Sequence, residues 1–211
     1  MILEDVYRDV DRLLRMGARP SDLLLDAAPW VVASYRVGNA IASLPRWARL
    51  PLLALHRPVQ VMLSTVTGTS LPAQASIGGG LHLSHATQVI ISPEARIGRD
   101  CELAQGTTIG VGGRAGHRGA PVIGDRVYIG PGAKVFGPIR VGNDVAIGAN
   151  AVVCEDVPDG AVVAGVPAKI VSMRGSRDFV LQGRRMPDLA KLFRELVRSL
   201  DPQKQRLLKA A

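Results

Sequence analysis

The sequence predicts a mainly β fold, a coil of short strands flanked by helical ends, and three observations carry that expectation. The first is an aliphatic ladder at a step of six: Ile123, Ile129, Val135, Val141, Ile147 and Val153, with Gly directly after Ile123, Ile129, Val141 and Ile147. A step of six fits neither the period of about 3.6 of a helix nor the period of about 2 of a strand. It fits a chain that makes one short strand and one corner per unit, so that three units bring it back to its start and each inward aliphatic stacks on the coil below.

The second observation is that the ladder runs upstream through Ile91, Ile97, Leu103 and Ile109, and before them Leu71, Ile77 and Leu83, with two slips of phase. Eight residues separate Leu83 from Ile91, which predicts a two-residue bulge. Fourteen separate Ile109 from Ile123, which predicts one unit interrupted by an extruded loop, Val111 to Pro121. The third is composition: 23 glycines without a low-complexity tract, and only 4% aromatic residues, as a narrow interior of Val, Ile and Ala requires. Gly or Asn is expected at the corners. An ordinary sandwich of regular strands is the alternative.

Residues 1–68 read as helical. Ile2, Leu3, Val6, Tyr7, Val10, Leu13 and Leu14 make one apolar stripe. A second stretch covers about Ser21 to Ala42 and a third about Leu50 to Val66, where Pro58 is expected to kink or split the helix. Residues 69–171 are the coil. In the extension 172–211, Leu189, Leu192, Phe193, Leu196, Val197 and Leu200 form a further helical stripe, with Pro187 suited to its first turn and Pro202 at its end.

The formal charge of +8 is concentrated in that extension, where ten Lys/Arg face four Asp/Glu; the rest of the chain carries only +2. No aromatic interleaves the basic residues, so the pattern does not fit a nucleic-acid partner. Cys101 and Cys154 lack metal spacing and read as two free, buried thiols, and no metal site is expected. With no signal pattern and no long apolar run, a soluble cytoplasmic protein is expected. Trp47, Leu50, Leu52, Leu53, Leu55 and Val59, rimmed by Arg46, Arg49 and Arg57, fit either packing against the coil or against other copies of the chain, or peripheral contact with the inner face of a membrane.

The hexads, the stretch Leu83-Ser84-His85-Ala86-Thr87, the glycine-rich loop and the closing run Ala164-Gly165-Val166-Pro167-Ala168-Lys169-Ile170-Val171 resemble the serine acetyltransferase branch of the hexapeptide acyltransferases over residues 65–171. The resemblance implies a left-handed parallel β-helix, a homotrimer, and acetyl-CoA as acyl donor lying in a groove between coils. It implies direct acyl transfer to a hydroxyl or amine without a metal. His85 falls at the family's catalytic histidine; an imidazole titrates near working pH and suits a general base. Gly112 and Gly113 are implied to approach the pantetheine, Ala149 to lie along the CoA groove, and Lys169 to stand near the CoA phosphates. His82 is open to orienting His85, to lining the cleft or to a structural role, and His56 reads as surface or core. In the extruded loop Arg114 with Arg118 are candidate contacts for a phosphate or an anionic sugar, and His117 is a candidate acceptor contact that matches the family's loop histidine only if the loop takes a different path, being three residues from its place.

The departures bear on the acceptor. Where the family carries an aspartate before its histidine this chain has Ser84, where a second aspartate pairs with that histidine it has Ser70, and Ala120 takes the place of a loop histidine. Serine carries an ammonium group that needs a compensating charge once desolvated. The expectation from sequence is therefore an acetyl-CoA-dependent O-acetyltransferase acting on a saccharide of an exopolysaccharide or the cell envelope, with Ser70 and Ser84 in its acceptor site. Serine O-acetyl transfer in cysteine biosynthesis is the alternative, and a non-catalytic scaffold is a third.

Overall fold

The computed structural model describes residues 2–114 and 116–180. Four helices precede the coil: α1 (Ile2–Arg15), α2 (Pro20–Leu25), α3 (Ala27–Ala42) and α4 (Arg46–Thr67). The second helical stretch is thus divided at Asp26, whose carboxylate accepts from the Ala28 N–H and caps α3. α4 begins before Leu50, at Arg46, and is not split: it runs through Pro51 and Pro58 and ends on Gly68 in the left-handed conformation. The stripe from Leu189 to Leu200 lies outside the described residues.

The coil builds three sheets. The first holds β1 (Ser76–Ile77), β4 (Arg96–Ile97), β7 (Val122–Ile123) and β10 (Arg140–Val141). The second holds β2 (His82–Leu83), β5 (Glu102–Leu103), β8 (Tyr128–Ile129), β11 (Ala146–Ile147), β13 (Val162–Ala164) and β14 (Lys169–Ser172). The third holds β3 (Ile90–Ile91), β6 (Thr108–Gly110), β9 (Lys134–Phe136) and β12 (Val152–Val153). All neighbours are parallel except β14, which folds back antiparallel on β13. Paired residues stand 18 apart where the ladder is regular, as in Val141 on Ile123. They stand 20 apart across the bulge, Ile97 on Ile77, and 26 apart across the extruded loop, Ile123 on Ile97.

Every ladder residue from Leu71 to Val153 points inward and is almost wholly buried, as is the residue two before most of them, such as Val89, Val127, Val145 and Ala151. The corners differ from expectation. Asp100, Arg126 and Asp144 adopt positive φ at one column of corners, and Gln88 and Asn150 at another, alongside glycines. The glycine that follows each Ile or Val of the first sheet serves a different purpose: a Cβ on Gly98 would stand 2.5 Å from the Gly124 carbonyl, and one on Gly124 2.8 Å from that of Gly142. These glycines let successive coils approach.

The helices close the open end of the coil through polar groups. The stripe on α1 is only partly covered: Leu3 is 86% exposed, Ile2, Val6, Val10 and Leu13 line an apolar cavity with α2, α3 and Leu81 to Leu83 of the coil, and Asp9, Asp11 and Arg12 are the buried residues. Asp9 accepts from the Gly80 and Leu81 N–H groups and pairs with Arg36 of α3 at 2.8 Å. Arg36 donates onward to the Ile77 and Gly78 carbonyls, and the Tyr35 hydroxyl donates to the Ala75 carbonyl. These bonds satisfy peptide groups of the first coil, which have no strand above them. α4 packs on α3, where His56 shares a hydrogen bond of 3.1 Å with Ser34, and leaves Trp47, Leu50, Leu55 and Val59 exposed. None of the described helices is long and apolar enough to cross a membrane.

Candidate active site

The two-residue insertion predicted after Leu83 forms the corner between β2 and β3. Ser84 ends the regular run: its N–H donates to the Leu103 carbonyl at 3.1 Å. The Thr87 carbonyl accepts from the Gly106 N–H at 3.0 Å, and Gln88, in the left-handed conformation, donates to the Thr67 carbonyl. Between these anchors His85 is exposed, Ala86 is buried, and among the described residues neither makes a hydrogen bond. The bulge thus turns one imidazole outward, a common device beside reactive sites.

Ser70 begins the third sheet, bridged to Ile90, with an exposed side chain. No hydrogen bond among the described residues joins it to His85.

A carboxylate is present nonetheless. Glu102, in register with His82 on the next coil, is buried on the outer face of the second sheet. Its Oε1 accepts the Ser84 hydroxyl at 2.9 Å and lies 3.6 Å from His82 Nδ1, while Oε2 pairs with Arg12 of α1 at 3.2 Å. Burial pushes the carboxyl up, but the His82 imidazole, the Ser84 hydroxyl and the Arg12 guanidinium outweigh it and hold the group below the usual carboxylate range. Arg12 is itself fixed by donating to the Gly80 and Cys101 carbonyls. His82 Nδ1 is buried and has no hydrogen-bond partner among the described residues. Reading by sequence neighbours missed Glu102, because it is close only through the stacking of coils. The signal was its place: it directly precedes ladder residue Leu103, as His82 precedes Leu83.

The extruded loop is a narrow hairpin. Gly112 and Gly119 exchange two hydrogen bonds of 3.0 Å, and His117 donates its N–H to the Arg114 carbonyl. Gly112 has a reason within the chain to be glycine: a Cβ there would meet the Gly137 nitrogen at 2.8 Å. Gly113 has φ of 96° and its Cβ would strike the His117 carbonyl. Arg114, His117 and Arg118 are exposed at the tip. Ala149 is exposed at the corner between β11 and β12, on the same edge of the coil as His85. Lys169 pairs with Glu155 at 3.3 Å, both largely exposed. The loop leaves from the corner between β6 and β7, a different edge, so one chain does not gather all the predicted site residues at one place. Among the described residues no cluster of His, Cys, Asp and Glu could hold a metal ion.

A coil of parallel hexad strands with a histidine on a bulge defines the hexapeptide transferase class, and residues 120–155 match the family described as Bacterial transferase hexapeptide (six repeats). The serine acetyltransferase of Staphylococcus xylosus is 33% identical over 181 residues, 81% of this chain and 82% of that protein. That of Mycobacterium tuberculosis is 41% identical over 144 residues, 68% of this chain and 61% of that protein. The crystal structure of the Brucella abortus serine acetyltransferase in complex with Coenzyme A superposes with a TM-score of 0.66 at 28% identity, covering 81% of this chain and 66% of that one. The chain belongs to the serine acetyltransferase family. It spans about three-fifths of the length of the Mycobacterium relative.

These relatives overturn the expectation of a saccharide acceptor and of a role in polysaccharide synthesis. Positions 70, 84 and 120 hold no carboxylate, but Glu102 brings a buried one to Ser84 from the neighbouring coil.

Proposed function

We propose that the protein transfers the acetyl group of acetyl-CoA to the hydroxyl of serine, with His85 as general base. The observation that carries this reading is the exposed imidazole on the insertion after Ser84, in a chain one-third identical to a serine acetyltransferase over most of both lengths. His85 takes the hydroxyl proton as the oxygen attacks the thioester carbon. The tetrahedral oxyanion is met by backbone N–H groups. Its collapse breaks the C–S bond, and the departing CoA sulfur takes the proton from His85.

In this reading residues 69–171 are the acyltransferase unit, wound left-handed, and 1–68 are its helical cap. Ala149 and the loop glycines Gly112 and Gly113 line the CoA groove. Lys169 can leave Glu155 for a CoA phosphate, because an exposed ion pair is worth little. Arg114, His117, Ser70, His82 and Ser84 surround the acceptor. The homotrimer belongs to the same reading and is supported by the two edges: His85 and the loop leave one chain from different corners, and a neighbouring copy can bring them together.

The test is loss of thioester absorbance with and without L-serine. Serine-dependent loss is expected, and His85→Ala is expected to slow it by about 10²–10⁴-fold. Thioester loss indifferent to serine, or an unimpaired His85→Ala, would refute the assignment.

A further inference from the structure

The bulge that carries His85 has an unusual support. Its anchor on the β3 side is made of peptide hydrogen bonds, at Thr87 and Gln88. On the β2 side the last anchored residue is Ser84, held twice, by its N–H on the Leu103 carbonyl and by its hydroxyl on Glu102. His85 follows directly and has no hydrogen bond of its own among the described residues. Its setting therefore depends on how firmly Ser84 is held.

Glu102 divides its two oxygens. Oε2 serves Arg12 and so fastens α1 to the coil. A carboxylate needed only as a counterion for Arg12 would have no use for a second set of partners. Yet Oε1 accepts the Ser84 hydroxyl at 2.9 Å and faces the unpartnered His82 Nδ1. A hydroxyl given to an ionised, buried carboxylate is a charge-assisted bond, stronger and better directed than a neutral one.

We propose that Glu102 is the positioning residue of the site: its carboxylate, braced by Arg12, holds Ser84 from the next coil and thereby sets where His85 stands. The inference rests on the assignment of His85 as the base. Glu102 acts through Ser84 and need not touch substrate. It also offers an account of how this chain manages with serines at positions 70 and 84, since the orienting carboxylate is supplied across the coils.

Four variants test this: Glu102→Ala, Glu102→Gln, Ser84→Ala and the double variant Ser84→Ala/Glu102→Ala. Loss of an orienting partner costs about 10–100-fold, and we expect that fall in kcat for Glu102→Ala and Ser84→Ala with KM for acetyl-CoA unchanged. The double variant is expected to be no worse than the poorer single one, because both remove the same bond. Glu102→Gln keeps an oxygen for the Ser84 hydroxyl and is expected to restore most of the rate. Independent multiplication of the two effects, or a wild-type kcat in Ser84→Ala, overturns the inference. If Glu102→Ala does not fold, Ser84→Ala is read together with the His85 ring resonances in the free enzyme, which loss of an acceptor contact alone would leave in place.

A second readout does not depend on the reaction. The chain has four histidines, so the ring resonances of His85 can be assigned by their loss in His85→Ala. They are expected to move in Ser84→Ala and Glu102→Ala, to stay close to their native positions in Glu102→Gln, and those of His117 are expected to stay in all three. If they move but transfer does not need His85, the functional reading fails and the positioning stands. If transfer needs His85 and neither its resonances nor kcat respond, the positioning fails alone.

Discussion

Cys101 and Cys154 show how the six-residue frame sets the environment of a single side chain. Both were expected to be buried, and only Cys101 is. Cys101 stands two before Leu103, in the inward column, and its thiol lies 3.2 Å from the Gly124 carbonyl. Burial pushes that thiol up to about 12. Cys154 directly follows inward Val153 and so faces out. The distinction was legible in the phase of the ladder and was missed because residue type was weighed without it. Since the thiolate is the nucleophile, an alkylating or disulfide reagent is expected to modify one thiol per native chain and both in denaturant. Cys154→Ser is expected to leave none reactive in the native state. Equal reactivity of the two cysteines in the folded protein would contradict the inward placement of Cys101.

Among the elements, the strands were legible and the helices only partly so. A strand of two or three residues here is defined by which side chain points inward, and the ladder states that directly, including both interruptions. The helices lack such a frame. The apolar stripe on α1 gave no sign of how the helix meets the coil: the first coil presents unpaired peptide groups at that end, and Asp9 and Arg12, with Arg36 of α3, bind them. Likewise the site was legible where it depends on sequence neighbours, as with Ser84 and His85, and not where it depends on residues a full coil apart, as with Glu102. The glycines were read as corners, whereas those after Ile77, Ile97, Ile123 and Val141 are sites of close approach between coils. Gly124→Ala tests this. Its Cβ would meet Asn143 Oδ1 at 2.7 Å and the Gly142 carbonyl carbon at 2.8 Å, both held in the corner ladder where Asp125 donates its N–H to Asn143 Oδ1. Overpacking of this kind costs about 1–3 kcal/mol, and a lower denaturation midpoint is expected. An unchanged midpoint would show that the coils have slack.

If the proposed transfer uses both His85 and the loop, one reaction site must draw on two edges of a three-sided coil. His85 stands at the corner between the second and third sheets, and the loop with Arg114 and His117 leaves at the corner between the third and first. In a closed ring of three copies, each copy presents one kind of edge to one neighbour and the other kind to the next, a heterologous contact that closes by rotation. Three equivalent sites then form, each with the histidine of one copy and the loop of another. The first expectation is a solution mass near three times 22.4 kDa by light scattering. The sharper one is complementation. His85→Ala chains lack the base, and chains with residues 113–118 replaced by a short turn lack the loop, so each pure trimer is expected to be inactive. If the two are unfolded together in equal amounts and refolded, a site is intact when a loop-deleted chain supplies His85 and a His85→Ala chain supplies the loop. Random assembly makes that true of about a quarter of the sites, so about a quarter of the wild-type rate should return. A site contained within one chain predicts no recovery at any mixing ratio, and that result would remove the reason for the trimer.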